Sequence, residues 1–188
     1  MNAPVEIAAY DPCWPGIFTE LRDQITSALG PLAHAIEHVG STAIPGLAAK
    51  PIIDIDVVIS SPADLPAVIT KLRPLGYHPE GDLGVPGREA FTTPPGTPPH
   101  HLYVCVAGSA PLERHLALRD LLRARPDLTR AYAALKRSLA DQYRNDRTAY
   151  TNGKTAFIEQ ALAAAAASQS QADPPQAFDG QAERCHGL

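Results

Sequence analysis

Residues 37–57 read Glu37-His38-Val39-Gly40-Ser41-Thr42-Ala43-Ile44-Pro45-Gly46-Leu47-Ala48-Ala49-Lys50-Pro51-Ile52-Ile53-Asp54-Ile55-Asp56-Val57, and the two ends of this stretch decide the fold. The C-terminal end sets two carboxylates among Ile and Val. The stretch 51–60 is short, apolar and bracketed by Pro51 and Pro62, which reads as a strand. Side chains two apart on a strand share a face. Asp54 and Asp56 therefore point one way, and Ile53, Ile55 and Val57 the other. Two like charges roughly 5–7 Å apart on such a strand repel each other and resist desolvation. A proton or a cation must neutralise them. Mg²⁺ meets that need, because it takes one or two carboxylates and completes its shell with substrate phosphates and water. A strand end with both aspartates in water also satisfies Asp-x-Asp.

The N-terminal end runs from an apolar residue, Val39, into Gly40-Ser41, and twelve residues separate Ser41 from Asp54. Glycine lets the backbone take positive φ and pass close to a ligand. Ser41 and Thr42 offer hydroxyls and backbone N–H groups at a short helix start, which suits an anion. An ordinary strand-to-helix turn has the same residues, so the weight lies in the combination. Gly-Ser, a spacer of this length and then Asp-apolar-Asp-apolar resembles the signature of the nucleotidyltransferase superfamily. The string from Glu37 to Ile55 resembles the GrpB family within it. So do Tyr10-Asp11-Pro12-Cys13-Trp14-Pro15, His101-Leu102-Tyr103-Val104, Arg114-His115-Leu116-Ala117-Leu118-Arg119-Asp120 and Ala149-Tyr150-Thr151-Asn152-Gly153-Lys154. Together they cover roughly residues 4–165.

The resemblance implies an α/β fold: a nucleotidyltransferase-like mixed β-sheet flanked by helices, with a C-terminal helical part closing the cleft. It implies that Gly40, Ser41 and Thr42 bind the phosphates of a nucleoside triphosphate and that Asp54 and Asp56 hold Mg²⁺. A hydroxyl of a small-molecule acceptor would then attack the α-phosphorus. The superfamily usually supplies a third carboxylate from a later strand. Here that strand, 101–106, has no Asp or Glu, so His101 or Tyr103 stands in as the base. The alternative is a non-catalytic nucleotide- or metabolite-binding accessory protein, and a third reading is a purely structural partner. Lys50, Arg88, Arg114, Arg119 and Lys154 are the candidate cations for the phosphates. Each taken singly also reads as a solvated side chain or a surface ion pair.

At 188 residues, 45% hydrophobic and 19% charged, the chain reads as one globular domain, residues 1–167, with a Ser-, Gln-, Pro- and Ala-rich tail over 168–188 expected to be disordered. A net charge of −4 argues against broad nucleic-acid binding. Cys13, Cys105 and Cys185 have no zinc spacing, and no basic leader or membrane-length apolar run stands in the chain, so a cytoplasmic protein without a membrane segment is expected.

The remaining pattern predicts a short strand over 4–10 and a helix from Trp14 to Gly30. It predicts a strand over 34–39, a helix after Ser61-Pro62, and a hairpin pairing 88–92 with 101–106. Helical stripes follow through Leu112–Leu122 and through Leu128, Tyr132, Leu135, Leu139 and Tyr143. A single third helix carries Tyr150, Phe157, Ile158 and Leu162.

Overall fold

The computed structural model describes residues 4–172. Helix α1, Trp14–Leu29, starts where the Asp11 carboxylate accepts the Cys13 N–H, and Gly30 ends it at φ 55°. Trp14, Leu21, Ile25 and Leu29 form its buried stripe. Strand β1, Ala35–Val39, turns through Gly40 into a single 3₁₀ turn, Ser41–Ala43, and the chain returns as β2, Ile53–Ile59. Ser61 then caps the descent into α2, Leu65–Leu72. Strands β3, Pro79–Gly81, β4, Arg88–Phe91, and β5, His100–Val106, complete the sheet. Four helices follow: α3, Ala110–Ala124, α4, Pro126–Gln142, α5, Arg147–Gly153, and α6, Thr155–Ala172.

The sheet is mixed, in the order β1-β2-β5-β4-β3. β2 and β5 run parallel and every other pair is antiparallel. The alternation along β2 and β5 separates two layers. Ile53, Ile55, Val57, Ile59, Leu102 and Val104 face α1 and α2 in the main core. Burying each such side chain stabilises the fold by about 1.5–3 kcal/mol. The opposite face carries Asp54, Asp56, His101 and Tyr103, and the register pairs Asp54 with His101 and Asp56 with Tyr103.

Helix α3 crosses this second face, and its successive turns meet successive strands. Leu112 packs on Val58 and Cys105, His115 reaches Asp56 on β2, Arg119 reaches Glu37 and His38 on β1, and Arg123 bonds the Ala43 carbonyl beyond it. The spacing of three and four residues puts all of these on one side of the helix.

Three expectations differ. Residues 4–10 form one bridge, Ala8 to Ala49, and not a strand. Val5 packs instead with Leu139, Ala140 and Tyr150, which draws the segment to the helical layer. The third C-terminal helix is two helices, broken at Gly153-Lys154. Leu139 packs against Gly153 so closely that a Cβ there would lie 2.6 Å from Leu139 Cδ2. The last helix runs to Ala172, past the expected boundary at 167, and the rest of the tail lies outside the described residues. Among the described residues no helix is long and apolar enough to cross a membrane.

Candidate functional site

Between the second face of the sheet and helices α4–α6 lies a cavity of about 500 Å³. Its floor is the Gly40-Ser41 turn beside Asp54. Gly40 has φ 68°, in the region that favours glycine, and an added Cβ would fall 2.1 Å from Asp54 Oδ2. No side chain fits there, so turn and carboxylate touch. The turn is braced from behind. His38 stacks on Phe18 of α1, with centroids 4.6 Å apart. Its Nε2 lies 3.0 Å from Thr42 Oγ1, which in turn donates to the Ile52 carbonyl. Burial holds His38 neutral, with its pKa lowered to about 4. Since the Thr42 proton goes to Ile52, the imidazole is the donor to Thr42.

Asp54 and Asp56 differ sharply in surroundings. Asp54 lines the cavity and bonds His101 Nδ1 at 2.9 Å. Asp56 is fully buried; its Oδ2 bonds His115 Nδ1 at 2.7 Å and its Oδ1 has no partner among the described residues. A buried carboxylate oxygen left without a donor is costly, and a cation held between the two aspartates would satisfy it. No group of three or more His, Cys, Asp or Glu side chains among the described residues could hold a metal alone. The pair therefore suits a hard cation that draws most of its shell from a ligand's oxygens, as Mg²⁺ does.

The wall is cationic. Lys50, Arg88, Lys136, Arg147 and Lys154 line the cavity, and among the described residues Asp54 is its one carboxylate. Lys136 is 1% exposed and donates to Ser41 Oγ at 2.9 Å. Burial and the neighbouring Lys154 lower its pKa to about 7. Burial and nearby Arg147 lower Lys50 to about 8, and burial lowers Lys154 as well. Low-dielectric walls around clustered cations favour a multiply charged anion.

Of the predicted residues, Gly40, Ser41, Lys50, Asp54, Arg88, His101 and Lys154 come together at the cavity, with Asp56 behind them. Three residues expected at the phosphate site do not line this cavity. Thr42 is buried and bonded inside the fold. Arg114 pairs with Glu159 of α6 at 2.8 Å. Arg119 bonds Glu37, Asp120 and the His38 carbonyl, bordering only a small side cavity of about 60 Å³ behind the turn. All three use their polar atoms to fasten elements together. Residues not singled out from sequence are Lys136, Arg147, Tyr150 and, as the partner of Asp56, His115. Lys136 was detectable: it follows Tyr132 by four residues and so puts a charge on the apolar side of α4.

The GrpB family model, described as GrpB protein, matches residues 4–164. The chain belongs to the GrpB family. UPF0157 protein YqkA of Bacillus subtilis is 37% identical over 123 residues, a match covering 65% of this chain and 36% of that protein. The chain thus spans well under half of that relative's length. The crystal structure of conserved protein GrpB from Enterococcus faecalis aligns with TM-score 0.78 and 30% identity, over 88% of this chain and 99% of the other. Cid1 poly(U) polymerase with MgGTP bound aligns with TM-score 0.51 at 14% identity, over 72% of this chain and 44% of that one, a likeness of fold. The GrpB fold of this chain is nucleotidyltransferase-like.

Proposed function

We propose that this GrpB chain is a Mg²⁺-dependent nucleotidyltransferase that moves a nucleoside monophosphate from a nucleoside triphosphate to a hydroxyl of a small-molecule acceptor. The observation that carries it is the contact of the Gly40-Ser41 turn with Asp54, inside a wall of five cations. The turn's backbone, Ser41 and the Lys50, Lys136, Arg147 and Lys154 side chains neutralise the phosphate chain. Arg88 lies on the β4 side. Asp54 and Asp56 would hold Mg²⁺, which supplies Lewis-acid polarisation of the phosphoryl oxygens when bound. The acceptor oxygen bonds to the α-phosphorus as pyrophosphate leaves. In this reading the hydroxyl proton goes to His101, whose Nδ1 is engaged by Asp54 and whose Nε2 is left to accept. Positioning and charge stabilisation provide most of the rate.

A second reading is supported by one feature. β5 carries His101 and Tyr103 opposite the two aspartates, where a third carboxylate would complete a transferase site. A nucleotide-binding accessory protein fits that substitution.

Thermal melts with ATP, with and without Mg²⁺, test the site in wild type, Asp54→Asn and Asp56→Asn. Ligand at a hundred times its Kd stabilises by about 2.7 kcal/mol, a shift of roughly 5–10 °C for a domain of this size. The shift is expected in wild type with Mg²⁺ and absent from both variants. If both variants keep it, the site assignment is wrong. Release of pyrophosphate in an acceptor screen then separates transferase from binding protein.

A further inference from the structure

Three tyrosine rings line the cavity: Tyr103, Tyr132 and Tyr150. Flat rings are common platforms for a nucleobase. Here every ring is already engaged. The Nζ atoms of Lys50 and Lys154 lie 4.5 Å and 4.7 Å from the Tyr150 centroid. Lys136 Nζ lies 4.8 Å from Tyr132, which also stacks on Phe157 at 5.2 Å. The Arg88 guanidinium lies 4.2 Å from the Tyr103 centroid. Tyr150 and Tyr132 are only 2% and 4% exposed, so neither has an open face. Seating a base on any of them would displace a cation from its ring.

The other planar groups are no better placed. His101 and His115 are tied by their Nδ1 atoms to Asp54 and Asp56, at the carboxylate end of the cleft. Groups that read the amino edges of adenine and cytosine are amides and carboxylates. Among the described residues the lining has no Asn or Gln, and its one carboxylate is Asp54. What it offers in quantity is positive charge held in fixed positions by the aromatic rings.

We infer that the cleft recognises the phosphate chain of its ligand and not the nucleobase, so that its ligand class is a triphosphate with or without a nucleoside. This rests on the reading of the Gly40-Ser41 turn and its cations as a phosphate site. The tyrosines act as seats for the ammonium groups. The lowered pKa of Lys50 and Lys136 belongs with the same design, since burial first, and neighbouring cations second, disfavour their charged forms until an anion joins them.

Isothermal titration of the full chain with the Mg²⁺ complexes of ATP, GTP, CTP, UTP and inorganic tripolyphosphate tests it, alongside Lys154→Met. The four nucleotides are expected to bind within about fivefold of one another, and tripolyphosphate within about tenfold of them, or 1.4 kcal/mol. Lys154→Met weakens all five by a common factor of about tenfold. A larger preference for one base, or nucleotide binding with tripolyphosphate weaker than that limit, overturns the inference and leaves the nucleotide site standing. A Lys154→Met effect confined to one nucleotide also overturns it, by assigning that lysine to a base. If none of the five binds, the inference and the proposed function fail together.

Discussion

Lys136 and Asp56 are the two buried charges on which the site depends. Lys136 has its pKa lowered to about 7 in the folded chain, against an ordinary value of 10.5. Between those values the unfolded chain binds more protons, so stability rises with pH through that window. Below about 7 the full cost of burying the ammonium is present. Lys136→Met is therefore expected to be more stable than wild type at neutral pH and below. Its advantage, a few kcal/mol at most, shrinks as pH rises toward the unfolded value. Urea denaturation from pH 6 to about 10 measures it, and a constant difference would contradict the burial argument. In the proposed reading, polyphosphate docking at Ser41 would favour the charged amine. Binding should therefore take up a proton above neutral pH, seen as a buffer-dependent enthalpy. Among the described residues Asp56 has one hydrogen-bond partner, the His115 imidazole. His115→Ala leaves a fully buried carboxylate without a donor and should cost about 1–3 kcal/mol. A variant as stable as wild type would mean that Asp56 is satisfied in another way.

Among the elements, α3 is the strap that holds the site's two halves. Its turns meet β5, β2 and β1 in order, and Arg119 fastens it with a 2.6 Å bond to Glu37 and a 3.3 Å bond to the His38 carbonyl. Arg119→Met is expected to lower stability by about 1–3 kcal/mol while weakening Mg²⁺·ATP by less than about threefold. Tighter dependence of ATP binding on this residue would return it to the phosphate site. The close approach of α5 to α4 rests on Gly153. Gly153→Ala sets a methyl 2.6 Å from Leu139 Cδ2. An overpacked contact of this kind costs about 1–3 kcal/mol and should lower Tm by roughly 2–10 °C. Because α5 carries Arg147 and Tyr150 and Lys154 follows it, loss of ATP affinity should accompany the loss of stability.

For the whole molecule, the charge is divided against itself. The chain carries a net −4, yet the cleft concentrates five cations against one lining carboxylate. A small polyanion can enter the cleft and meet the cations, whereas a long duplex is too wide to enter it and meets a chain of net negative charge. Filter binding in about 0.1 M salt, where charges are screened beyond about 10 Å, is expected to retain labelled Mg²⁺·ATP and no duplex RNA or DNA. Retained duplex would require a basic surface outside the cleft.

The sequence determined by itself strands β1, β2, β4 and β5, the apolar side of the sheet and the pairing of Gly40-Ser41 with Asp54, but neither β3 nor the course of residues 4–10. The features it determined depend on alternation and turn chemistry over a few residues, which local sequence reports. It also placed His101 and Tyr103 on the same strand face, and the register put them opposite the aspartates. Which cations face the cleft was decided by tertiary structure. Arg114 and Arg119 look like Lys154 in sequence, but the angle at which α3 crosses the sheet commits Arg119 to β1, and α6 takes Arg114. Lys136, Arg147 and His115 join the site only because helices from distant parts of the chain close over one face. The break at Gly153 arises in the same way, because it depends on how closely Leu139 of another helix approaches. Burial, which separates Asp56 from Asp54 two residues away, is a property of what packs above a side chain. No neighbour in sequence records it.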